Sequence, residues 1–387
     1  MVKAIKVMLI PNNVQKTKMF QYAGASRFAY NWALAREKEN YEKGGKFISD
    51  SELRKEFTKL RHSDEYAWLL NISNNVTKQA IKDACTAYKN FFKGLQKFPR
   101  FKSRKKSMPK FYQDNVKIQF SNTHVKFEGF SSSRKANKQK MNWVRLAEHG
   151  RIPTDVKYMN PRISFDGLNW WISVCVEFPD CREILNDDGV GIDLGIKDLA
   201  VCSDGTKYKN INKSQKVKKL EKQKRRLQRS ISRSYEKNKK GESYCKTNNV
   251  IKKEKLLLKR NHRLTNIRKN YLNQTISEIV NRKPRFICIE DLNVSGMMKN
   301  RHLSKAVQEQ GFFWFRKQLE YKCSDKGIQL IVADRFYPSS KLCSCCGNIK
   351  KDLKLSDRVY RCACGNMIDR DFQASINLKT YGEKFAS

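Results

Sequence analysis

The sequence predicts an α/β fold in its second half, preceded by an all-β part that holds an inserted helical bundle. Three observations lead to this fold class. Strand patterns alternate with helical patterns after residue 188, strand patterns dominate residues 115–178, and apolar residues recur at helical spacing between residues 28 and 95. A chain of 387 residues is long enough for two or three domains with cores of their own.

The N-terminal part begins with one strand and continues as helices. The first ten residues show an extended apolar pattern, which predicts a strand. Helical spacing then takes over: Ser49 and Glu52 form a capping box, and apolar residues over 76–95 mark a third helix. A helical bundle over 11–110, inserted after the first strand, is the simplest interpretation.

Strand patterns return after the bundle. They cover residues 116–120, 124–127, 143–146, 162–165 and 170–176. Together with the first strand they are expected to close a small β-barrel, made of residues 1–10 and 111–180, around the helical insertion. Residues 179–188 form a polar, acidic linker, and we place a domain boundary there.

The charge balance points to a nucleic-acid partner. Lysine and arginine number 80 against 38 acidic residues, which gives a net charge of +42. Such a charge repels itself unless a polyanion neutralises it. Membrane binding is disfavoured, because the basic residues are spread over the chain and no run of eighteen apolar residues is present. Five of the twelve cysteines lie within 343–364 and no export signal is visible, which together predict a reduced, intracellular protein. Its expected location is the cytoplasm or nucleoid, or the nucleus if the host is eukaryotic.

Two basic segments are candidates for contact with nucleic acid. Residues 97–110 interleave lysine and arginine with Phe98 and Phe101, which suits phosphates and stacked bases; the alternative is a solvated linker anchored by its phenylalanines. Residues 213–270 hold 22 Lys or Arg and four Glu, and their apolar spacing predicts two long antiparallel helices broken at 241–249. Their exposed face is expected to border a nucleic-acid channel. The candidate residues are Arg100, Lys102, Arg104, Lys105, Lys106, Arg225, Arg226 and Arg229.

Three acidic residues stand at or near the ends of predicted elements in the second half. Asp193 lies in an apolar strand between glycines, Glu290 ends a second apolar strand, and Asp371 precedes an apolar helix. A carboxylate inside a strand loses hydration, and a partner charge or a metal ion normally offsets that loss. Carboxylates bind Mg²⁺ or Mn²⁺, and two such ions about 3.5–4 Å apart can hydrolyse a phosphodiester bond. The alternative is that Glu290 and Asp371 only cap helices.

A cysteine cluster has the spacing of a zinc ribbon. The candidate ligands are Cys343, Cys346, Cys362 and Cys364. Four thiolates would hold Zn²⁺ with no open coordination position, so the ion would be structural. Gly347 and Gly365 are expected to direct backbone amides at the sulfurs. Cys345 is an alternative ligand for the first pair.

An aromatic cluster follows the second acidic strand. Residues 312–315 are four consecutive aromatic residues at the start of a predicted helix. We predict that this cluster belongs to the core, the alternative being a platform on which bases stack.

The motifs around the three acids resemble those of one nuclease family. They are GIDLGIKDLAV at 191–201, CIEDLNVSGMMKN at 288–300 and DRDFQASINL at 369–378, with the cysteine cluster before the last of them. Further motifs at 27–34 and 98–105 extend the similarity upstream. Over nearly its whole length the chain resembles the TnpB (OrfB) proteins encoded by insertion sequences, which are relatives of the type V CRISPR effectors.

The resemblance implies a domain organisation. An RNase H-like (RuvC) nuclease domain would occupy residues 186–342 and 366–387, and a zinc ribbon over 343–365 would be inserted in it. The β-barrel would correspond to the family's wedge domain, and the bundle to its helical recognition domain. The catalytic and magnesium-binding residues would be Asp193, Glu290 and Asp371.

This sequence departs from the family pattern at two points. The second cysteine pair is Cys-x-Cys, one residue shorter than the usual Cys-x-x-Cys. Gln373 stands where the family has asparagine. By the same resemblance, Asp369 supports the turn that presents Asp371.

The resemblance also implies an activity, RNA-guided cleavage of DNA that leaves a 5′ phosphate. A guide RNA of the omega RNA type would pair with the target strand, while the N-terminal domains hold the RNA and read a short flanking motif in double-stranded DNA. A monomer is expected. Two other classes stay open: a DNA-only transposase or resolvase with the same metal site, and a non-catalytic nucleic-acid-binding regulator in which the acids are dispensable.

Overall fold

The computed structural model describes residues 1–131, 140–179, 183–354 and 357–386. The chain divides into two compact units, Met1–Pro179 and Asp180–Ser387. Their boundary lies at the start of the predicted linker, of which residues 180–182 fall outside the described part.

The first unit contains an antiparallel sheet. Its strands are β1 (Val2–Ile10), β2 (Lys110–Tyr112), β3 (Gln119–Phe120), β4 (His124–Lys126), β5 (Trp143–Leu146), β6 (Tyr158–Phe165) and β7 (Trp170–Glu177). They lie in the order β2-β6-β7-β1-β5-β4-β3. Alternate residues of β7 are buried, from Trp170 to Val176, which explains why the sequence pattern predicts this strand. Val116, predicted to be in a strand, lies in an exposed turn instead.

The predicted helices follow β1. They are α1 (Asn13–Glu42), α2 (Asp50–Arg61) and α3 (Asn74–Phe92), with short 3₁₀ helices at Asp64–Asn71 and Lys140–Asn142. The capping box is confirmed: Ser49 Oγ accepts a hydrogen bond from the Glu52 amide at 3.2 Å, and Glu52 accepts one from the Ser49 amide at 2.9 Å.

The predicted closed barrel is wrong for the described residues. The strands form an open sheet whose edges are β2 and β3. Helix α1 covers the apolar face: the Tyr22 ring packs edge-on against Phe111 and Phe130, with centroids 5.5 and 5.3 Å away, and Phe20 packs against Trp170 at 5.0 Å. Because a helix already buries this face, the sheet does not need to close on itself.

The second unit is built on a mixed sheet. Its strands are β8 (Val190–Leu194), β9 (Asp198–Cys202), β10 (Lys207–Lys209), β11 (Lys239–Lys240), β12 (Ser243–Tyr244), β13 (Phe286–Glu290), β14 (Gln329–Ala333), β15 (Val359–Arg361) and β16 (Met367–Asp369). The main sheet has the order β10-β9-β8-β13-β14, in which β13 runs parallel to β8 and β14, and β9 is antiparallel to β8 and β10. The remaining strands pair as two short hairpins, β11-β12 and β15-β16.

Helices surround this sheet. They are α4 (Gln215–Lys237), α5 (Asn248–Asn281), α6 (Val294–Met297), α7 (Ser304–Gln310), α8 (Phe312–Lys326) and α9 (Arg370–Phe385), with a 3₁₀ helix at Ile211–Lys213. The predicted antiparallel pair is confirmed as α4 and α5, which share a narrow apolar seam of Val217, Leu220 and Leu264. Among the described residues no helix is long and apolar enough to cross a membrane.

The backbone of helix α9 packs directly against the backbone of β8. A Cβ atom added to Gly191 would lie 2.0 Å from the carbonyl oxygen of Ser375 and 2.3 Å from the amide nitrogen of Lys379. Only a glycine lets the two backbones come this close, so Gly191 determines how closely α9 lies on the sheet.

The division of the first unit into a barrel domain and a separate bundle stays a prediction. One continuous core in this unit includes residues of the sheet, such as Val7 and Val144, and of the helices, such as Leu53 and Ile81.

Candidate active site and metal centre

Asp193 and Glu290 are neighbours across two parallel strands. Ile192 of β8 lies opposite Ile289 of β13, and each acid is the next residue of its strand. Because parallel strands in register turn paired side chains to the same face, the two carboxylates lie side by side. Both isoleucines are fully buried, so the core fixes the register that brings the acids together.

Asp371 approaches the same place from α9. Asp369 is the N-cap of this helix, and its side chain accepts hydrogen bonds from the amides of Asp371 and Phe372 at 3.0 and 3.1 Å. Capping is therefore the role of Asp369, as the family resemblance implied, and Asp371 lies in the first turn, where its charge acts on both acids of the sheet. The alternative that Asp371 is the capping residue is wrong.

The three carboxylates influence one another electrostatically. Burial, followed by the charges of Glu290 and Asp371, raises the pKa of Asp193 well above its usual range. Burial also raises the pKa of Glu290, and the charge of Asp371 adds to this, although a hydrogen bond from Ser339 and the charge of Arg370 act in the opposite direction. Three mutually repelling carboxylates of this kind are stabilised by a divalent cation.

The donor set fits Mg²⁺, which prefers carboxylate oxygens completed by water and substrate phosphate. Within the described residues, the four-cysteine cluster is the only group of three or more metal-binding side chains whose ligand atoms all lie within 4.8 Å of one another. In this structure at least two of the carboxylates of Asp193, Glu290 and Asp371 therefore lie more than 4.8 Å apart.

Ser339 is a functional candidate that the sequence analysis missed. Its hydroxyl donates a hydrogen bond to Oε1 of Glu290, and the side-chain amide of Asn377 in α9 donates to the Ser339 carbonyl at 2.7 Å. Ser339 is almost completely buried. Its only sequence signal is a Pro-Ser-Ser turn before the cysteines, which by itself predicts a loop.

The four predicted cysteines converge. The sulfurs of Cys343 and Cys364 lie 3.7 Å apart, and those of Cys346 and Cys362 lie 3.5 Å apart. A tetrahedral Zn²⁺ with Zn–S bonds of about 2.3 Å separates its sulfurs by about 3.8 Å, so the cluster can hold such an ion. Cys345 is exposed and lies outside the group, which excludes it as the alternative ligand.

Backbone amides donate hydrogen bonds to the cysteine sulfurs, but these amides are not those of Gly347 and Gly365. Gly347 and Gly365 donate to the carbonyls of Cys343 and Cys362, at 3.0 and 3.1 Å, so the prediction for their amides is wrong. Their φ angles of +73° and +88° instead turn the chain, so that the amides of the asparagines after them, Asn348 and Asn366, reach the sulfurs of Cys346 and Cys364.

The surroundings of Cys343 favour the thiolate form of its side chain. Burial alone would raise its pKa, but hydrogen bonds from the amides of Cys346 and Cys345 and from the side chain of Asn366 lower the pKa to about 6. The Asn366 side chain lies 3.4 Å from the sulfur.

Gln373, the departure from the family pattern, joins α9 to both cysteine turns. Its Nε2 donates to the Leu342 carbonyl at 2.6 Å, and its Oε1 accepts hydrogen bonds from Ser344 at 2.9 Å and from Asn366 at 3.3 Å. Gln373 is fully buried. Its longer side chain therefore satisfies three polar groups between the cluster and the helix that carries Asp371.

The basic candidates of the first unit divide into two kinds. Arg100, Arg104, Lys105 and Lys106 are exposed. Lys102 is not: its Nζ lies 2.9 Å from the centroid of the Tyr30 ring, and its backbone forms two hydrogen bonds of 2.8 Å with Asn31. Burial, followed by the charge of Lys110, lowers the pKa of Lys102 to about 7. The structure thus gives Lys102 an internal anchoring position.

The candidates of the second unit lie on the outer face of α4. Arg225, Arg226 and Arg229 are exposed. Arg268 of α5, by contrast, is half-buried and forms ion pairs with Glu221 at 3.1 Å and Glu309 at 3.2 Å. The exposed arginines are therefore available to phosphates, whereas Arg268 holds the helices together.

Family models match three parts of the chain. Residues 173–301 match a family described as "Probable transposase", residues 312–378 match the "Cas12f1-like, TNB domain", and residues 1–46 match a "Helix-turn-helix domain". The last region folds as β1 and the single helix α1 in this structure.

Relatives and a solved structure resemble nearly the whole chain. "Putative RNA-guided DNA endonuclease InsQ" of Escherichia coli (strain K12) is 31% identical over 93% of this chain and 87% of its own length. A Streptomyces pristinaespiralis protein, "Putative RNA-guided DNA endonuclease", is 29% identical over 98% of this chain and 89% of its own length. The Cas12f1 protein in a cryo-EM structure with sgRNA and target DNA shares the fold, with a TM-score of 0.58 and 12% identity over 98% of both chains. The identity to InsQ over this length shows that the chain belongs to the TnpB (OrfB) family.

Proposed function

We propose that this protein is an RNA-guided DNA endonuclease associated with a transposable element. The observation that carries the proposal is the meeting of Asp193, Glu290 and Asp371 at one site, from two parallel strands and the first turn of α9. The names of the relatives, which describe RNA-guided DNA endonucleases, support the same reading.

The proposed nuclease site belongs to an RNase H-like (RuvC) domain and depends on Mg²⁺ or Mn²⁺. The three carboxylates would hold two ions, which when bound supply an activated water and stabilise the departing 3′ oxygen. Ser339 orients Glu290, and Asp369 fixes the turn that presents Asp371. No side chain needs to act as a nucleophile, since hydrolysis by water leaves a 5′ phosphate.

The proposed partners are a guide RNA of the omega RNA type and a double-stranded DNA target with a short flanking motif. The net charge of +42 and the exposed basic residues on α4 and over 100–106 support contact with both nucleic acids. The guide would choose the sequence, and the protein would read the heteroduplex by its shape and the flanking motif directly. We further propose that the protein acts as a monomer inside the cell, in the cytoplasm or at the nucleoid.

The cysteine cluster is proposed to be a zinc ribbon with a structural ion. The four sulfurs would fill the tetrahedral coordination of Zn²⁺ completely, which leaves no position for a reacting water.

The function is tested by expressing the protein together with its native flanking DNA and sequencing the RNA that co-purifies. A discrete RNA from the gene's own neighbourhood is expected. The purified complex should then cut a matching DNA target in Mg²⁺, but not a scrambled one. Asp193→Ala should abolish cutting, whereas Asp188→Ala, which removes an acid that is 90% exposed, should not.

Three results would contradict the proposal. Random RNA, or none, together with joined DNA products would favour a DNA-only recombinase. Cutting that does not depend on the guide sequence would remove the role of the RNA. An Asp193→Ala variant with unchanged cellular activity would favour a non-catalytic regulator.

A further inference from the structure

A cavity opens beside the candidate catalytic carboxylate Glu290. It has a volume of about 300 Å³, and Glu290 itself forms part of its wall. Phe313, Arg316 and Arg335 also line it, together with the apolar residues Leu194, Ile289 and Leu292. A ligand in this cavity would therefore lie beside Glu290, one of the proposed catalytic carboxylates.

The exposure of Phe313 is unexpected for the aromatic cluster of α8. Phe312 and Phe315 are 2% and 0% exposed, as the core prediction requires, but Phe313 is 63% exposed. A large apolar side chain left in water at the mouth of a cavity is available to a flat ligand. The prediction of a core role is thus confirmed for two of these residues and wrong for Phe313.

Two arginines on the cavity wall are held by one carboxylate. Asp291, the residue after Glu290, accepts hydrogen bonds from Nη1 of Arg316 at 2.8 Å and from Nη2 of Arg335. Arg316 also pairs with Glu320 at 3.2 Å, whereas Arg335 is about half exposed. A guanidinium carries five N–H donors in a rigid fork, so an arginine bonded through one nitrogen still presents donors that suit a phosphate.

We propose that this cavity binds one unpaired nucleotide of the DNA strand that is cut, next to the scissile phosphate. Phe313 stacks against the base, and Arg335, oriented by Asp291, contacts the backbone phosphate. The inference rests on the proposed function and adds a binding subsite to it. An apolar face beside fixed cations is the combination that recognises single-stranded nucleic acid.

The shape of the cavity favours one nucleotide over a base pair. A volume of about 300 Å³ is at the lower end of pockets for small ligands. A base must therefore leave its partner to stack on Phe313, so the subsite selects an unwound strand. Stacking tolerates any base, which suits an enzyme whose sequence choice lies elsewhere.

The test combines a change in the protein with a change in the DNA. The wild-type protein and Phe313→Ala are each assembled with guide RNA. Each complex is given a series of DNA targets in which one abasic residue is moved stepwise around the cleavage site. The single-turnover rate of cleavage is measured for every target. In wild type, one abasic position should slow cleavage about tenfold, which matches the stacking of one base. Phe313→Ala should slow cleavage of intact DNA by a similar factor, and the abasic residue at that position should slow it no further.

Two matched variants control for folding and for the loss of an aromatic ring. Tyr321→Ala removes another exposed ring of α8, 42% exposed and outside the cavity, and should keep the wild-type rates. Phe313→Trp should restore stacking and the abasic effect. If Phe313→Ala cuts like wild type, or if its abasic profile is unchanged, the inference fails.

The arginine is tested through salt dependence. Arg335→Gln should weaken target binding and make the slope of log affinity against log salt concentration shallower by about one, as expected for the loss of one phosphate contact. Lys317→Gln, which removes an exposed cation of α8 that does not line the cavity, should leave cleavage unchanged. A wild-type complex that cuts no DNA overturns the proposed function itself, whereas wild-type cutting with an unaffected Arg335→Gln removes only this contact from the subsite.

Discussion

Ser339 donates a hydrogen bond from its hydroxyl to Glu290, and its carbonyl accepts one from the side chain of Asn377. Asn377 donates to the Leu342 carbonyl as well, at 2.7 Å, and so does Gln373 at 2.6 Å. Because Asn366 connects Gln373 to the sulfur of Cys343, one hydrogen-bonded network runs from Glu290 to the cysteine cluster. The orientation of Glu290 therefore depends on groups that also hold the cluster.

Ser339→Ala should reduce cleavage about tenfold and raise the Mg²⁺ concentration that cleavage requires. The alanine removes a hydrogen bond that orients Glu290, and loss of such an outer partner typically lowers metal affinity or activity about 10–100-fold. The measurement is a Mg²⁺ titration of the cleavage rate. Ser340→Ala, at the adjacent position, is the control, and equal titrations for both variants would show that the hydrogen bond does not matter.

Asp193→Asn should stabilise the protein in EDTA while it abolishes cleavage. The change removes one of three mutually repelling carboxylates, and a gain of about 1 kcal/mol corresponds to a rise in Tm of about 2–4 °C. In wild type, Mg²⁺ should raise the Tm, because the ion binds the folded site. A Tm of Asp193→Asn that rises with Mg²⁺ as much as the wild-type value would place the ion elsewhere.

Zinc content should distinguish the cysteines of the cluster. Cys364→Ser removes a sulfur that lies 3.7 Å from that of Cys343 and should release the metal, whereas Cys345→Ser should keep about one zinc per chain. Metal analysis of the two purified variants makes the comparison. Retention of zinc by Cys364→Ser would show that the shortened second pair does not bind it.

Gly191→Ala should destabilise the second unit by about 1–3 kcal/mol and reduce cleavage, because a Cβ atom there collides with the backbone of α9 and moves Asp371. Gly24→Ala is the matched control. Its Cβ would meet no atom within 4 Å, and alanine inside α1 should add about 0.5–1 kcal/mol. Denaturant unfolding measures both, and equal effects of the two changes would exclude the proposed collision.

Glu37→Gln should change how stability depends on pH. Burial raises the pKa of Glu37 to about 7, although the Ile48 amide and Lys89 act in the opposite direction. The folded protein holds this proton up to about pH 7 and the unfolded chain loses it near pH 4.5, so stability falls as pH rises through this window and then levels off. The variant should therefore have a higher Tm than wild type at pH 8 and an equal Tm at pH 4. Thermal scans across this range decide the point, and parallel curves would contradict it.

The strands that carry Asp193 and Glu290 were predictable because each is a short apolar run that contains an acid. The register that places Asp193 beside Glu290 was not, because it depends on pairing between segments far apart in the chain. Ser339 was missed for a related reason: a serine in a turn gives no sign of the distant carboxylate to which it donates.

Helices and caps were predicted well because their signals are local, as with Ser49 and Glu52. The errors concern tertiary packing. The barrel does not close because α1 covers the sheet, and Lys102 turns inward onto Tyr30 although its neighbours in the sequence are exposed. From composition alone a lysine is expected to be an exposed charge, whereas in a folded protein its alkyl chain can also pack against other side chains.

The contact of α9 with Gly191 also has a consequence during protein synthesis. Asp193 and Glu290 leave the ribosome well before α9, and at about 5–20 residues per second their strands can pair while the third carboxylate is still missing. Until α9 is released and settles on β8, the growing chain holds two of the three acids. If the three carboxylates act together as proposed, cleavage competence would wait until α9 has folded onto β8, and a chain that terminates before α9 would lack it.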